Sequence, residues 1–223
     1  MRLSISLAAL AAAALASPAS ATLLAPTGCT GNAVACVVTD TPPTLVERNP
    51  NDSIILMWDE KQNVVLTEDL PVDRVFDPAA SFVGGTAGNY FLRAGTVVSS
   101  HYVQWDVPGT SPLRAQTTIN ADSQIFAFIY ADQKLFNTDA LLGLDTTDYN
   151  DFTNRGLEGS DSTVFSGSSV YINWAASSPG DWARMLTAYS PTAAAADVPV
   201  PAALPLMAAG LAGLGLLARR RKG

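Results

Sequence analysis

Residues 96–107 read TVVSSHYVQWDV, and Pro108-Gly109 follows them. Val97, Val98, Tyr102, Val103, Trp105 and Val107 are β-branched or aromatic, the types that suit a pleated, half-buried surface. The stretch shows no helical period and a Pro-Gly turn closes it, so it predicts one long strand. Working outward, IFAFIY at 125–130 is an unbroken apolar run. Such a run fits a strand covered on both faces or central in a sheet. Residues 115–120 alternate only weakly. Upstream, apolar runs at 54–58 and 64–67 flank the polar residues 59–63 and predict a hairpin. Downstream, 170–174 and 182–187 predict a last hairpin around Ser178-Pro179-Gly180-Asp181, with Pro and Gly at the second and third positions of a type II turn. Only residues 138–142 suggest a helical turn. Short strands broken by turn signals predict an all-β, antiparallel, jelly-roll-like β-sandwich over 22–190. No repeat occurs at the periods of solenoids or propellers.

The two ends read differently. Arg2, the Ala/Leu run 7–15, Pro18 and the small-residue site Ala19-Ser20-Ala21 have the order of a secretory signal peptide over 1–21. The alternative is a transmembrane or core helix, for which the run is short. At the other end an Ala-rich linker, 191–197, leads to Val198, Pro199, Val200, Pro201 and Ala202. An uncharged Leu/Ala/Gly segment, 204–218, follows, and then Arg219, Arg220, Arg221 and Lys222. A basic cluster stays on the cytoplasmic side, so the rest of the chain would face outward. Pro199, Pro201 and Pro205 lack amide hydrogens and shorten the usable helix. That leaves a stretch short for a permanent span, which needs about 20 apolar residues.

Val198-Pro199-Val200-Pro201-Ala202, then the apolar helix, then the Arg/Lys cluster resembles the PEP-CTERM sorting signal in its VPLPA-type variant. The resemblance covers 198–223. Val200 stands where the name-giving Pro-Glu-Pro carries its acidic residue. The family occurs in Gram-negative bacteria, often beside exopolysaccharide gene clusters. The resemblance implies recognition by exosortase, an integral-membrane cysteine transpeptidase that cleaves near the proline motif. It also implies an inner-membrane precursor delivered to the cell surface or extracellular matrix. The alternative is an ordinary single-span tail. Residues 96–188 are similar, less specifically, to uncharacterised ectodomains attached to such tails. The segments concerned are Ser100-His101-Tyr102-Val103 with Trp105-Asp106, Arg155-Gly156-Leu157-Glu158, and Pro179-Gly180-Asp181 before Arg184. That similarity implies a β domain and no activity.

Charge narrows the partners. The chain has 13 Lys+Arg and 20 Asp+Glu; setting aside the five basic residues at its extremes leaves a net charge of about −12. So acidic a surface disfavours nucleic acid and anionic lipid, and tolerates cations, basic partners or neutral glycans. Cys29 and Cys36 are the only cysteines. In an exported chain they predict a small disulfide loop. A metal pair or a redox site is the rival, although C-x6-C has neither spacing.

Reactive groups are few. His101 is the only histidine, and no G-x-S-x-G elbow is present, so His101 is expected as a hydrogen-bonded or exposed strand residue. No phosphate-binding glycine pattern occurs. Asp139, Asp145, Asp148, Asn150 and Asp151 crowd one region, which makes Asp145, Asp148 and Asp151 candidate calcium ligands; a solvated acidic loop is the rival. Trp58, Trp105, Trp174 and Trp182 would stack on sugars if exposed, or fill a core. The leading expectation is a non-catalytic surface or matrix protein associated with exopolysaccharide or biofilm, with no cofactor. A secreted carbohydrate-binding module is second and a small extracellular hydrolase third.

Overall fold

In chain order the first strands are β1 (Leu23–Gly31), β2 (Ala35–Val38), β3 (Asp52–Asp59), β4 (Val64–Val65), β5 (Leu70–Val72), β6 (Arg74–Val75) and β7 (Val83–Gly84). Then come β8 (Tyr90–Leu92), β9 (Val97–Asp106), β10 (Leu113–Ala121), β11 (Ile125–Ile129) and helix α1 (Asp132–Leu142). The last strands are β12 (Ser162–Ser166), β13 (Ser169–Ala176) and β14 (Asp181–Thr187). This computed structural model describes residues 23–189, apart from 47–51, 108, 110, 151–154, 158, 160, 178 and 179. The residues read above as a signal peptide, a linker and a sorting signal, including 198–202 and 219–222, lie outside the described residues. Among the described residues no helix is long and apolar enough to cross a membrane.

The protein is predominantly β, and its sheets are mainly antiparallel. The strand predicted from TVVSSHYVQWDV is β9, held between β3 and β14 in a seven-stranded sheet ordered β2-β3-β9-β14-β11-β6, with β4 also on β9. A four-stranded sheet runs β1-β10-β13-β12, and a three-stranded one runs β5-β8-β7. Strand alternation sends side chains to both faces of the large sheet. Val103 and Trp105 of β9 join Ile55, Met57, Phe128, Ala183 and Met185 in one apolar cluster with Ala115, Ile119, Val170, Ile172 and Trp174 of the four-stranded sheet. Val98 and Tyr102 point the other way. They pack with Trp58, Trp182 and Leu186, with Leu135 and Leu142 of α1, and with Leu70, Val83 and Leu92 of the small sheet. The large sheet is therefore covered on both faces. This is why IFAFIY shows no alternation, whereas β10, with one face in solvent, alternates fully.

Four expectations change. The runs at 54–58 and 64–67 do not form a hairpin. Both pair with β9 along the same edge, Asp59 opposite His101 and Val64 opposite Val98. Between them the Glu60 amide donates to the Ser100 carbonyl and the Lys61 carbonyl accepts the Ser100 amide, and the Glu60 side chain is buried. The segments 170–174 and 182–187 also fail to pair, because β13 belongs to the four-stranded sheet and β14 to the seven-stranded one. The turn between them carries the chain across the core; Gly180 there has φ 103° and its amide donates to the Ser177 carbonyl. Strand β2 runs parallel to β3, so the sheet is not wholly antiparallel. Finally, the helical turn at 138–142 extends back to Asp132.

Cys29 and Cys36 form a disulfide, with Cα atoms 5.8 Å apart. Cys29 sits in β1 and Cys36 in β2, so the bond ties the edge of one sheet to the edge of the other. A loop this short constrains the unfolded chain by about 2–3 kcal/mol. Reduction is expected to lower stability by that amount while leaving the domain folded, as thermal melts with and without reductant would show. Complete unfolding on reduction would mean the bond does more than close a loop.

Candidate functional site

His101 is the natural place to look for chemistry. Its Nδ1 lies 2.6 Å from Asp59 Oδ1 and its Nε2 lies 3.0 Å from Thr187 Oγ1. Carboxylate, imidazole and hydroxyl thus follow one another in the order used by acyl-transfer enzymes. The resemblance ends at access, because His101 and Thr187 are both fully buried. The Thr187 hydroxyl also lies within hydrogen-bond distance, 3.2 Å, of the Ala188 carbonyl oxygen. A nucleophile has to meet its substrate, and this hydroxyl faces the protein interior. His101 is the hydrogen-bonded strand residue its sequence context suggests.

A larger polar cluster lies on the opposite face of the same sheet. Arg184 of β14 is fully buried, and all five of its N–H donors are placed. Nε donates to Glu60 Oε2 at 2.6 Å, and Nη2 donates to Glu60 Oε1 at 2.8 Å and Asp139 Oδ1 at 3.0 Å. Nη1 donates to Thr138 Oγ1 at 2.6 Å and to the Leu135 carbonyl at 3.2 Å. Asp139 also receives Arg155, 2.8 Å from its Nη1 and 3.2 Å from its Nη2, while that Nη2 reaches the Tyr102 hydroxyl at 2.8 Å. Ser100 donates to Glu60 at 2.5 Å. Two arginines therefore face two carboxylates, and Arg184 also lies over the rings of Tyr102 and Tyr149 at 5.3 and 5.4 Å.

Backbone geometry brings these groups together. Gly156 takes φ 105°, and a Cβ there would strike the Tyr130 carbonyl, so only glycine lets the chain pass close enough to aim Arg155 at Asp139. At the other end of α1, Asp73 accepts the amides of Tyr130 and Ala131 at 2.7 and 2.8 Å and pairs with Lys134 at 2.7 Å. The helix is clamped to the sheet by charge at both ends. Burial opposes the charge on Arg184 and Arg155, yet Glu60 for the first, and Tyr102 with Asp139 for the second, raise both above the ordinary arginine range. The cluster is charge-balanced and internally bonded. That suits a clamp better than a reactive centre.

Burial pushes the Tyr102 hydroxyl up to about 12, although Arg155 and Arg184 pull it back; burial and Glu60 raise Tyr149 in the same direction. The native state thus favours the protonated phenol. Its contribution is complete below the unfolded value near 10 and is lost as pH climbs from about 10 to 12, on the order of 2 kcal/mol for Tyr102. Melting temperature is expected to fall steeply over that window, with a shallower slope in Tyr102→Phe. Equal slopes would assign the alkaline loss to other groups.

Asp139, Asp145, Asp148 and Asn150 line one pocket, and the three aspartates among them already have protein partners. Asp139 turns into the arginine cluster. Asp145 pairs with Lys61 Nζ at 2.8 Å, Asp148 Oδ1 accepts the Asn150 amide at 2.8 Å, and Asp151 lies outside the described residues. Among the described residues no group of three or more His, Cys, Asp or Glu is arranged to hold a metal ion. All four tryptophans are fully buried, which removes them as a sugar-stacking platform. No family model, curated protein or solved structure matches the chain. Function is therefore argued from the chain itself. Of the segments singled out in the sequence, the structure joins Tyr102, Arg155 and Arg184. Glu60, which completes their cluster, carried no signal beyond a polar break.

Proposed function

We propose that the protein is an exported, non-catalytic β-sandwich domain displayed at the envelope surface or in the extracellular matrix of a Gram-negative bacterium, in association with exopolysaccharide. Delivery runs through an inner-membrane precursor whose tail, 198–223, is cut by an exosortase-type transpeptidase. The observation that carries this reading is the Cys29–Cys36 disulfide between two sheets, since such bonds persist in oxidising compartments. Support also comes from the burial of His101 and Thr187 and from the internal balance of the arginine cluster.

The intact mass of the cell-associated protein tests the proposal. The expected species begins at or near Thr22 and lacks the segment from about residue 204 onward. Deleting Arg219, Arg220, Arg221 and Lys222 is expected to impair retention, because the basic stop holds the helix in the membrane. A mature protein that still carries 204–222 would make the tail a simple anchor. A second reading, a carbohydrate-binding module, loses its tryptophans, all four of which are buried.

A further inference from the structure

The chain leaves the described residues through Ala188 and Tyr189, and both line a groove of about 560 Å³. Hydrogen bonds fix this exit: the Ala188 amide donates to the Gln124 carbonyl at 2.7 Å, and the Ala188 carbonyl accepts the Ser123 hydroxyl at 3.2 Å. Phe82, Phe126, Val97 and Arg93 line the same groove. Phe82 and Phe126 are half-buried and stack with their centroids 4.2 Å apart, while Tyr189 is exposed at the rim.

Charge singles out Arg93, the only charged residue that lines the groove. Lys61, Lys134, Arg155 and Arg184 are ion-paired, Arg74 donates to the Thr163 carbonyl and Arg114 to Asn173. Among the described residues Arg93 alone of the basic side chains makes no hydrogen bond or ion pair; it is exposed and lies over the Phe91 ring at 5.7 Å. On a strongly acidic domain, a groove with aromatic walls and one unpaired cation selects an apolar segment that carries one anion.

The chain supplies such a segment directly after the exit. Residues 190–201 read SPTAAAADVPVP, and Asp197 is the only charged residue between Tyr189 and Arg219. We propose that the groove docks this segment of its own chain, with Asp197 against Arg93 and Val198-Pro199-Val200-Pro201 along Phe82 and Phe126. Alternating prolines favour an extended helix without internal hydrogen bonds, the form that aromatic-lined grooves take up at low entropic cost. Residue 197 is eight positions beyond Tyr189, a reach of up to about 26 Å at roughly 3.3 Å per residue, enough to fold back over a groove that starts at Tyr189. The tether makes docking intramolecular, so modest contacts suffice. Other occupants fit less well. The domain's net charge repels an acidic polymer, and none of the groove's lining residues is a buried polar group that would orient a small molecule. Docking covers 198–202, so an enzyme that reads this motif meets it only in the undocked state. The inference rests on the groove and on residues 190–201, not on the fate of the tail.

Limited proteolysis of the full chain in detergent micelles tests it. The protease is elastase, which cuts after small apolar residues, and intact mass locates the cuts between 190 and 203. A synthetic peptide of residues 188–203 gives the undocked rate, and the parent is expected to be cut several-fold more slowly. Arg93→Glu and Asp197→Arg are each expected to speed cleavage about fivefold, the scale on which reversing an exposed ion pair acts. Combining the two reverses both charges and is expected to restore the parental rate. Arg114→Glu changes an exposed arginine of the four-stranded sheet and is expected to be cut as the parent is. These are surface replacements, and a melting temperature near the parent's would show each variant folded. Cleavage of the parent as fast as the peptide would leave the groove to another occupant and overturn the inference. Parental rates in folded Arg93→Glu, or no restoration in the combined variant, would overturn it as well. Protection that grows with protein concentration would seat the segment on a second copy and overturn docking within one chain. A mature protein that keeps 204–222 would sink the sorting proposal and leave this result standing.

Discussion

Arg184→Met is expected to destabilise the domain by about 3–5 kcal/mol, because removing one partner strands the other charge in the interior. Glu60 has a fully buried side chain and its two oxygens accept Nε and Nη2 of Arg184. Without the guanidinium, Glu60 keeps only the Ser100 hydroxyl among these partners, and Thr138 Oγ1 and the Leu135 carbonyl lose a donor. Replacing both charges, Glu60→Leu with Arg184→Met, is expected to lose less than the sum of the single variants. A matched apolar pair carries no desolvation penalty. Denaturant melts of the two single variants and the double variant would measure the coupling. Additive losses, or a loss below about 1 kcal/mol for Arg184→Met, would mean that apolar packing alone holds α1 on the sheet.

The β character of the chain was legible because β9 and β11 carry β-formers across their whole length and turn residues bound them. The sheet partners were not legible. Apolar runs at 54–58 and 64–67 look like two arms of a hairpin, since a local pattern records which residues want burial and not which strand lies alongside. The same limit misassigned 170–174 and 182–187, which face each other across a core. Helix α1 was mostly missed because its buried residues, Leu135, Thr138 and Leu142, are few and its remaining residues polar; charges on Asp73, Asp139 and Arg184 hold it. Glu60 was invisible for a related reason. A carboxylate in a polar break reads as a turn until an arginine 124 positions away is seen to reach it.

Trp105→Ala is expected to cost about 3–5 kcal/mol, and Trp105→Phe less than about 1.5 kcal/mol. Trp105 is fully buried in β9, in the cluster that also holds Trp174 of β13, so its ring fills space between two sheets. Alanine leaves a cavity whose walls are strands in wide sheets, which cannot collapse without breaking register. The cost therefore falls in the upper part of the range for large-to-small replacements. Phenylalanine keeps most of the volume and deletes an indole N–H that, among the described residues, has no hydrogen-bond partner. An unsatisfied buried donor is itself unfavourable, so its removal offsets part of the lost packing. A loss in Trp105→Phe approaching that of Trp105→Ala would show that the N–H has a partner, such as a buried water. Small losses in both would show that the two sheets are not held together through this ring.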